Sequence, residues 1–255
     1  MPELPEVETV VSGLSPALSG KLLKSIRTFR EGVRLPFPKD LPTLQGRAVT
    51  TGLSRRAKYI LIFFDDDILV IHLGMSGRMT IHRDAASYKP LRHDHMIMTM
   101  DDGTSIVFND PRRFGLVLLL GKDALLAHKS FKDLGPEPLE RAFTGGGFHQ
   151  ALRAKASPIK TVLLNQRVVV GVGNIYACEA LFEAGIDPRR KASTLDAKEA
   201  QSLVATIKSV LKRAIKAGGS SLKDYRQADG SLGYFQHRFL VYDREGEPCP
   251  RCVKG

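Results

Sequence analysis

The chain has 255 residues, 43% of them hydrophobic, and no apolar run of bilayer length, which excludes a helical membrane protein. Lys and Arg number 38 against 27 Asp and Glu, a formal charge of +11 that points to a polyanion, most often nucleic acid, with a basic solvated surface as the bland alternative. Three cysteines make no disulfide framework, and Pro2, Glu3, Glu6 and Glu8 stand where a secretory signal would have its basic and apolar regions, so a reducing cytosol is the expected home.

The start of the chain is rich in chemistry. Pro2 follows Met1, and trimming of the methionine leaves a free prolyl secondary amine. An α-amino group has a pKa of roughly 8, so part of it is neutral and nucleophilic near pH 7. Attack on an aldehyde-like carbon gives an iminium, an electron sink for eliminations. Glu3 and Glu6 lie beside it as proton donors or positioning groups. The plain alternative is a helix start, where prolines and acids are favoured. Residues 6–18 place Val7, Val10, Val11, Leu14 and Leu18 at helical spacing, and Gly20 is a stop.

Strands are expected next. Tyr59–Phe64 and Ile68–Leu73 flank an Asp65-Asp66-Asp67 turn, His95–Met100 and Thr104–Phe108 flank Asp101-Asp102-Gly103, and Phe114–Leu120 is a further apolar run. Strands so close in sequence favour an antiparallel sandwich. Lys58 enters the first of them, either snorkelling at its mouth or pointing into a cleft to hold a phosphate or relay a proton. Two Gly-flanked turns, His72–Gly77 and Asn109–Gly115, carry Met75, Arg112 and Phe114. Protruding Met and Phe can wedge between bases, and Arg can bond a base edge, although each turn taken alone is more often structural. His93-Asp94-His95 lacks the further ligands of a zinc site and reads better as a phosphate contact or surface hydrogen bond.

The texture changes at Leu134-Gly135-Pro136-Glu137-Pro138, which reads as a linker. Both sides are basic: 19 basic and 15 acidic residues over 1–133, and 19 and 12 over 134–255. Helical patterns follow over Phe143–Ala154, Pro158–Leu164, Ile175–Ala184 and Leu195–Ala217. Gly171-Val172-Gly173-Asn174 opens the third. It lacks the last glycine and the acid of a dinucleotide fingerprint, but a Gly-rich turn at a helix start suits a phosphate, with Asn174 as side-chain donor. Cys178 on that helix reads as a buried thiol. Residues 222–233 read as a mobile loop, Phe239–Tyr242 as a strand, and Cys249 and Cys252 as half of a zinc knuckle.

Taken together, Pro2–Val10, His72–Gly77, Asn109–Gly115, Gly171–Ala177 and Cys249–Cys252 resemble the formamidopyrimidine-DNA glycosylase family, in the family's order and over nearly the whole chain. The related endonuclease VIII branch opens Pro-Glu-Gly-Pro, so Leu4 favours the purine-lesion branch. The resemblance implies an α+β protein: an N-terminal antiparallel β-sandwich with flanking helices (1–133), a helix-two-turns-helix domain with a lesion-capping loop (134–233) and a partial zinc-finger hairpin (234–255). DNA would lie in a basic cleft between the main domains. The implied activity is excision of oxidised purines (8-oxoguanine, formamidopyrimidines) from double-stranded DNA, followed by strand cleavage at the abasic site.

By position, the resemblance makes Pro2 the nucleophile at the sugar C1′ and Glu3 the proton donor to the ring oxygen. Lys58 becomes the proton donor in β-elimination and a phosphate contact. Met75, Arg112 and Phe114 fill the gap left by the flipped base, with Arg112 facing the orphaned cytosine. His72, His93 and Asn174 contact the backbone, as does a basic residue near Lys155, and residues 219–235 close over the lesion. The family's finger has a second CxxC after roughly fifteen to twenty residues and an arginine used in δ-elimination. Neither is present, which implies truncation within the finger and one structural zinc with half its ligands absent. A bacterial, cytoplasmic, nucleoid-associated monomer with no membrane contact is expected. The rival reading is a non-catalytic damaged-DNA-binding protein.

Overall fold

The acids and prolines at the start of the chain build a helix. In α1 (Leu4–Leu18), Glu3 is the N-cap and forms a capping box with Glu6, while Pro5 sits in the first turn, where its missing N–H costs nothing. Leu4, Val7, Val10, Val11, Leu14 and Leu18 bury one face, and the helix ends before Gly20, whose φ of +76° only glycine adopts readily. The computed structural model describes residues 2–221 and 228–252. Two compact units result, Met1–Lys132 with Ser220–Gly233, and Asp133–Gly219 with Tyr234–Gly255.

The first unit holds eight strands: β1 (Leu23–Thr28), β2 (Gly52–Arg56), β3 (Tyr59–Phe63), β4 (Asp67–His72), β5 (Arg78–His82), β6 (Asp94–Met100), β7 (Ser105–Asn109) and β8 (Leu116–Gly121). They form two antiparallel four-stranded sheets, in the orders β1-β6-β7-β5 and β2-β3-β4-β8. Ile60, Ile62, Leu69 and Ile71 from one sheet share a core with Met79, Met96, Met98, Ile106 and Phe108 from the other and with the buried face of α1. The chain switches sheets twice at one end, from β4 to β5 and from β7 to β8. Register ties these switches together, because Arg78 pairs with Asn109 and His72 with Leu116.

In this unit Lys58 and the run at Phe114 sit differently from the sequence reading. Lys58 is not in the strand; β2 and β3 pair Arg56 with Tyr59, so Ala57 and Lys58 form a two-residue turn, with Ala57 at a φ of +53°. The run at Phe114 starts as strand only at Leu116, because the residues before it form a loop held by side chains.

The second unit contains α2 (Gly145–Leu152), α3 (Ile159–Leu164), α4 (Asn174–Ala184) and α5 (Ala197–Lys216). Helix α5 carries a full capping box, Asp196 with Glu199, and buries Leu203, Val204, Ile207, Val210 and Leu211 against α2 and α4. Phe239–Tyr242 is not a strand. A short 3₁₀ turn, Phe235–Arg238, precedes it, and the backbone N–H groups of Leu240, Val241 and Tyr242 all donate to the carboxylate of buried Glu179, at 2.8, 3.0 and 2.8 Å. With its donors committed to a side chain, the segment has none for a ladder. The expected lesion-capping loop includes residues 222–227, which lie outside the described residues.

Candidate functional site

The reactive residues of the sequence reading gather where α1 begins. Pro2 and Glu3 are buried just ahead of the helix, with Glu6 one turn in. One carboxylate oxygen of Glu6 accepts the N–H of Glu3 at 2.9 Å, and the other accepts the N–H of Ser220 at 2.8 Å. Glu6 is thus a clamp that fixes the approach to Pro2 and Glu3. Lys58 is buried beside them on its turn. Burial pushes its pKa down from the ordinary lysine value, and the nearby carboxylates of Glu3 and Glu6 oppose that shift. The turn itself is fixed by Arg55, which pairs with Glu8 at 2.7 Å and donates to the carbonyl of Ala57 at 2.9 Å.

His72 stands at the end of β4, across the ladder from Tyr59, with the two rings 4.9 Å apart. Burial, and then the charges of Lys58 and Arg34, lower its pKa to about 4. The imidazole is therefore neutral near pH 7. Its Nδ1 accepts the N–H of Gly74 at 2.9 Å, so the proton lies on Nε2, a donor suited to a phosphate oxygen.

Met75, Arg112 and Phe114 come from the two sheet-switching loops, 73–77 and 110–115. Their exposure is 39% for Met75 and 46% for Phe114, high for apolar side chains, and the Arg112 guanidinium lies over the Phe114 ring at 5.1 Å. Beneath them the loops touch backbone to backbone. A Cβ at Gly74, φ +63°, would lie 2.4 Å from the carbonyl carbon of Phe114. Asp110, fully buried, accepts the Ser76 hydroxyl at 2.6 Å and the Gly115 N–H at 2.8 Å, and the Ser76 oxygen accepts the Arg112 N–H at 3.1 Å. The Asp110 carbonyl accepts Nε2–H of buried His95 at 2.8 Å, and its N–H donates to the carbonyl of half-buried His93. Asp94 accepts from Tyr88, Leu91 and Asn109. The His93-Asp94-His95 cluster is therefore a set of loop fasteners around one His of intermediate exposure.

In the second unit, Asn174 is the exposed first residue of α4. Gln166 shapes the turn before it, accepting the Gly171 N–H at 2.8 Å and donating to the Val172 carbonyl at 3.0 Å, with Gly171 at a φ of +78°. Lys155 is half-buried between α2 and α3. Cys178 is not fully buried; it lines an apolar cavity of about 460 Å³ with Leu181, Phe182 and Val241. Cys249 is half-buried and Cys252 exposed. The N–H groups of Arg251 and Cys252 hold the Cys249 thiol below its usual pKa. Among the described residues, no group of three or more His, Cys, Asp or Glu side chains could hold a metal, so they do not complete a four-coordinate zinc site. Among them, too, no helix is long and apolar enough to cross a membrane.

The sequence reading missed Asp110, Ser76, Gln166 and Glu179 as organisers of these loops. Asp110 and Ser76 lay inside the motifs it singled out. The signal for Glu179 was an acid on the apolar face of α4, between Tyr176 and Ala180.

Residues 1–117 match the family model described as formamidopyrimidine-DNA glycosylase N-terminal domain, and residues 134–226 that described as formamidopyrimidine-DNA glycosylase H2TH domain. The chain is 51% identical over 253 residues to the formamidopyrimidine-DNA glycosylase of Rhodospirillum rubrum, covering 99% of this chain and 90% of that protein. It is 51% identical over 262 residues to that of Paracoccus denitrificans, covering 98% and 91%. Among solved structures, it is similar to a Lactococcus lactis FPG mutant in complex with a Fapy-dG containing DNA, with a TM-score of 0.90, 35% identity and 98% and 92% of the two chains covered. It is likewise similar to MutM (FPG) from Thermus thermophilus, with a TM-score of 0.87, 39% identity and 98% and 91% coverage.

Proposed function

The chain belongs to the formamidopyrimidine-DNA glycosylase family, and on that premise we propose how its residues divide the work. It is a base-excision-repair DNA glycosylase, and its substrate is double-stranded DNA carrying oxidised purines such as formamidopyrimidines and 8-oxoguanine. The lone pair of the Pro2 nitrogen forms a bond to C1′ as the C1′–base bond breaks, and the base leaves with a proton. Glu3 gives a proton to the sugar ring oxygen, the ring opens, and an iminium joins Pro2 to the sugar. A C2′ proton passes to water, its bonding pair flows into that electron sink, and the C3′–O bond breaks so that the 3′-phosphate leaves, with Lys58 as the proton donor of this β-elimination.

The observation that carries this reading is Lys58, buried against Glu3 and Glu6 at the start of α1. A lysine whose pKa is lowered by burial gives up its proton more readily than an exposed one. Glu6 holds the geometry. A buried base must first leave the stack, at a cost of a few kcal/mol that wedges and phosphate contacts offset. Met75, Arg112 and Phe114 supply the wedge, with Arg112 facing the orphaned cytosine, and His72, His93, Lys155 and Asn174 meet the phosphates. The three-part organisation 1–133, 134–233 and 234–255, a monomer, and a bacterial cytoplasmic, nucleoid-associated location belong to the same proposal. The family implies a structural zinc; Cys249 and Cys252 would be two of its ligands, and no step above involves it.

Borohydride trapping on an 8-oxoguanine duplex tests the reading. Reduction of the iminium fixes a covalent protein–DNA adduct through Pro2. Binding without any adduct would establish the rival, non-catalytic damage-binding protein.

A further inference from the structure

Met75 sits on one loop and Arg112 with Phe114 on another, and nothing in a wedge as such requires the two loops to act together. Their hydrogen bonding does. The Ser76 hydroxyl donates to Asp110 while its oxygen accepts the Arg112 N–H, so one side chain of the first loop holds the second at two points. The other carboxylate oxygen of Asp110 holds the Gly115 N–H, and its carbonyl is fastened by His95. Asp110 is fully buried and Ser76 is 3% exposed, so neither is placed to touch DNA. The Gly74 backbone lies directly against Phe114 and Gly115, leaving no room for one loop to slide past the other.

We propose that Asp110 and Ser76 are positioning residues that lock the two loops into a single insertion unit, so that Met75 and the Arg112–Phe114 pair enter the duplex as one body. This rests on the reading of those three side chains as the wedge. A long arginine and an unbranched methionine have many rotamers, and a defined separation between them follows only if their backbones move together. The locked spacing then lets Arg112 select the base opposite the lesion.

The test is a double-mutant cycle on the affinity for an 8-oxoguanine duplex. Met75→Ala and Arg112→Ala are measured singly and together, in the natural chain and in Ser76→Ala and Asp110→Asn backgrounds. In the natural chain the two losses should depart from additivity by about fivefold, within the range for residues acting through one network. In either background the departure should fall below about twofold. The preference for cytosine over adenine opposite the lesion should fall about fivefold in Ser76→Ala, which removes both the bond to Asp110 and the bond from Arg112. β-Elimination at an abasic site in single-stranded DNA, which leaves no gap to fill, should change little. Additive losses in the natural chain, or a coupling that survives in Ser76→Ala, would overturn the proposal. Ser76→Ala is the milder change and decides the matter if Asp110→Asn does not fold. An Arg112→Ala variant with unchanged opposite-base preference would instead refute base reading by Arg112, and the affinity cycle would still judge the locking.

Discussion

Gly74→Ala tests how tightly the two loops are fused. The perturbation has two parts. Alanine at a φ of +63° adopts the left-handed conformation, at about 1 kcal/mol. Its Cβ would also meet Phe114 C at 2.4 Å, and Gly115 N and Phe114 O at 2.6 Å each. These are backbone atoms, so no rotamer change relieves the overlap. Loop 110–115 must retreat by about 1 Å to reach the 3.4 Å of ordinary contact, stretching the bonds that tie it to the other loop, from Ser76 to Asp110 at 2.6 Å and from Arg112 to Ser76 at 3.1 Å. Overpacking of this kind costs about 1–3 kcal/mol, so the total is about 2–4 kcal/mol. In a protein of this size that is a fall in Tm of about 4–16 °C. Thermal unfolding by circular dichroism gives the shift, and fluorescence anisotropy with a lesion duplex gives the loss of affinity. Gly103→Ala is the control for strain alone, since Gly103 has a φ of +82° and nothing within 4 Å of the added carbon. A Gly74→Ala shift no larger than that of Gly103→Ala, with affinity unchanged, would refute the claim that the loops are in hard contact.

Four further outcomes are expected. Pro2→Gly should strongly weaken base excision and borohydride trapping while duplex binding stays measurable, because a primary, more flexible amine has a less fixed attack geometry; full trapping in a Met-free sample would refute a special role for proline. His72 has a folded pKa of about 4 against an ordinary 6.5, so the unfolded chain binds more protons between these values, and stability should drain away as pH falls from 6.5 to 4. That contribution is at most about 3 kcal/mol and should be absent from His72→Gln, as denaturant titrations at the two pH values would report. Glu179→Ala strips the acceptor from three N–H groups at once and should cost about 3–5 kcal/mol, with Glu179→Gln milder; a loss under about 1 kcal/mol for the alanine variant would mean that water replaces the carboxylate. Metal analysis of the 255-residue chain should find no tightly held stoichiometric zinc, since Cys249 and Cys252 leave a four-coordinate ion half ligated; one zinc per chain would show that other ligands complete the site.

What the sequence disclosed follows from where each element sits in its sheet. β3, β4, β6 and β7 are interior strands, and their nearly continuous apolar runs were readable. β1, β2 and β5 were missed, and all three are edges; the fourth edge, β8, was readable because Leu116–Leu120 is apolar throughout. Leu-Lys-Ser-Ile-Arg-Thr in β1 buries only Leu23 and Ile26, and Gly-Leu-Ser-Arg-Arg in β2 fully buries none of its residues. An edge strand half in water carries polar and basic side chains that mask its period. Pro2, Glu3 and Lys58 were legible because their chemistry is unusual for their positions. Their assembly was not, since it depends on a two-residue turn at Lys58 and on a clamp from Glu6 to Ser220, 214 residues away. The strand expected at Phe239–Tyr242 failed for a related reason: β-propensity describes the side chains of that segment, while its N–H groups were claimed by a distant carboxylate.

The double switch between the sheets also bears on how the protein can vary. Arg78–Asn109 and His72–Leu116 are rungs of two separate ladders, and the paired loops are strung between them. Adding a residue to 73–77 alone would leave 110–115 spanning the old gap, so the extra length would have to bulge outward or pull a rung out of register. A slip of one residue turns every side chain of a strand to the opposite face, exposing core and burying surface. Away from Gly74, Ser76, Asp110 and Gly115, the loops are therefore free to exchange side chains but not to change length independently. Among relatives, an insertion in one should be answered by an insertion in the other, and a chimera that takes a longer loop from one parent and a shorter one from the other should misfold the sandwich before it alters recognition.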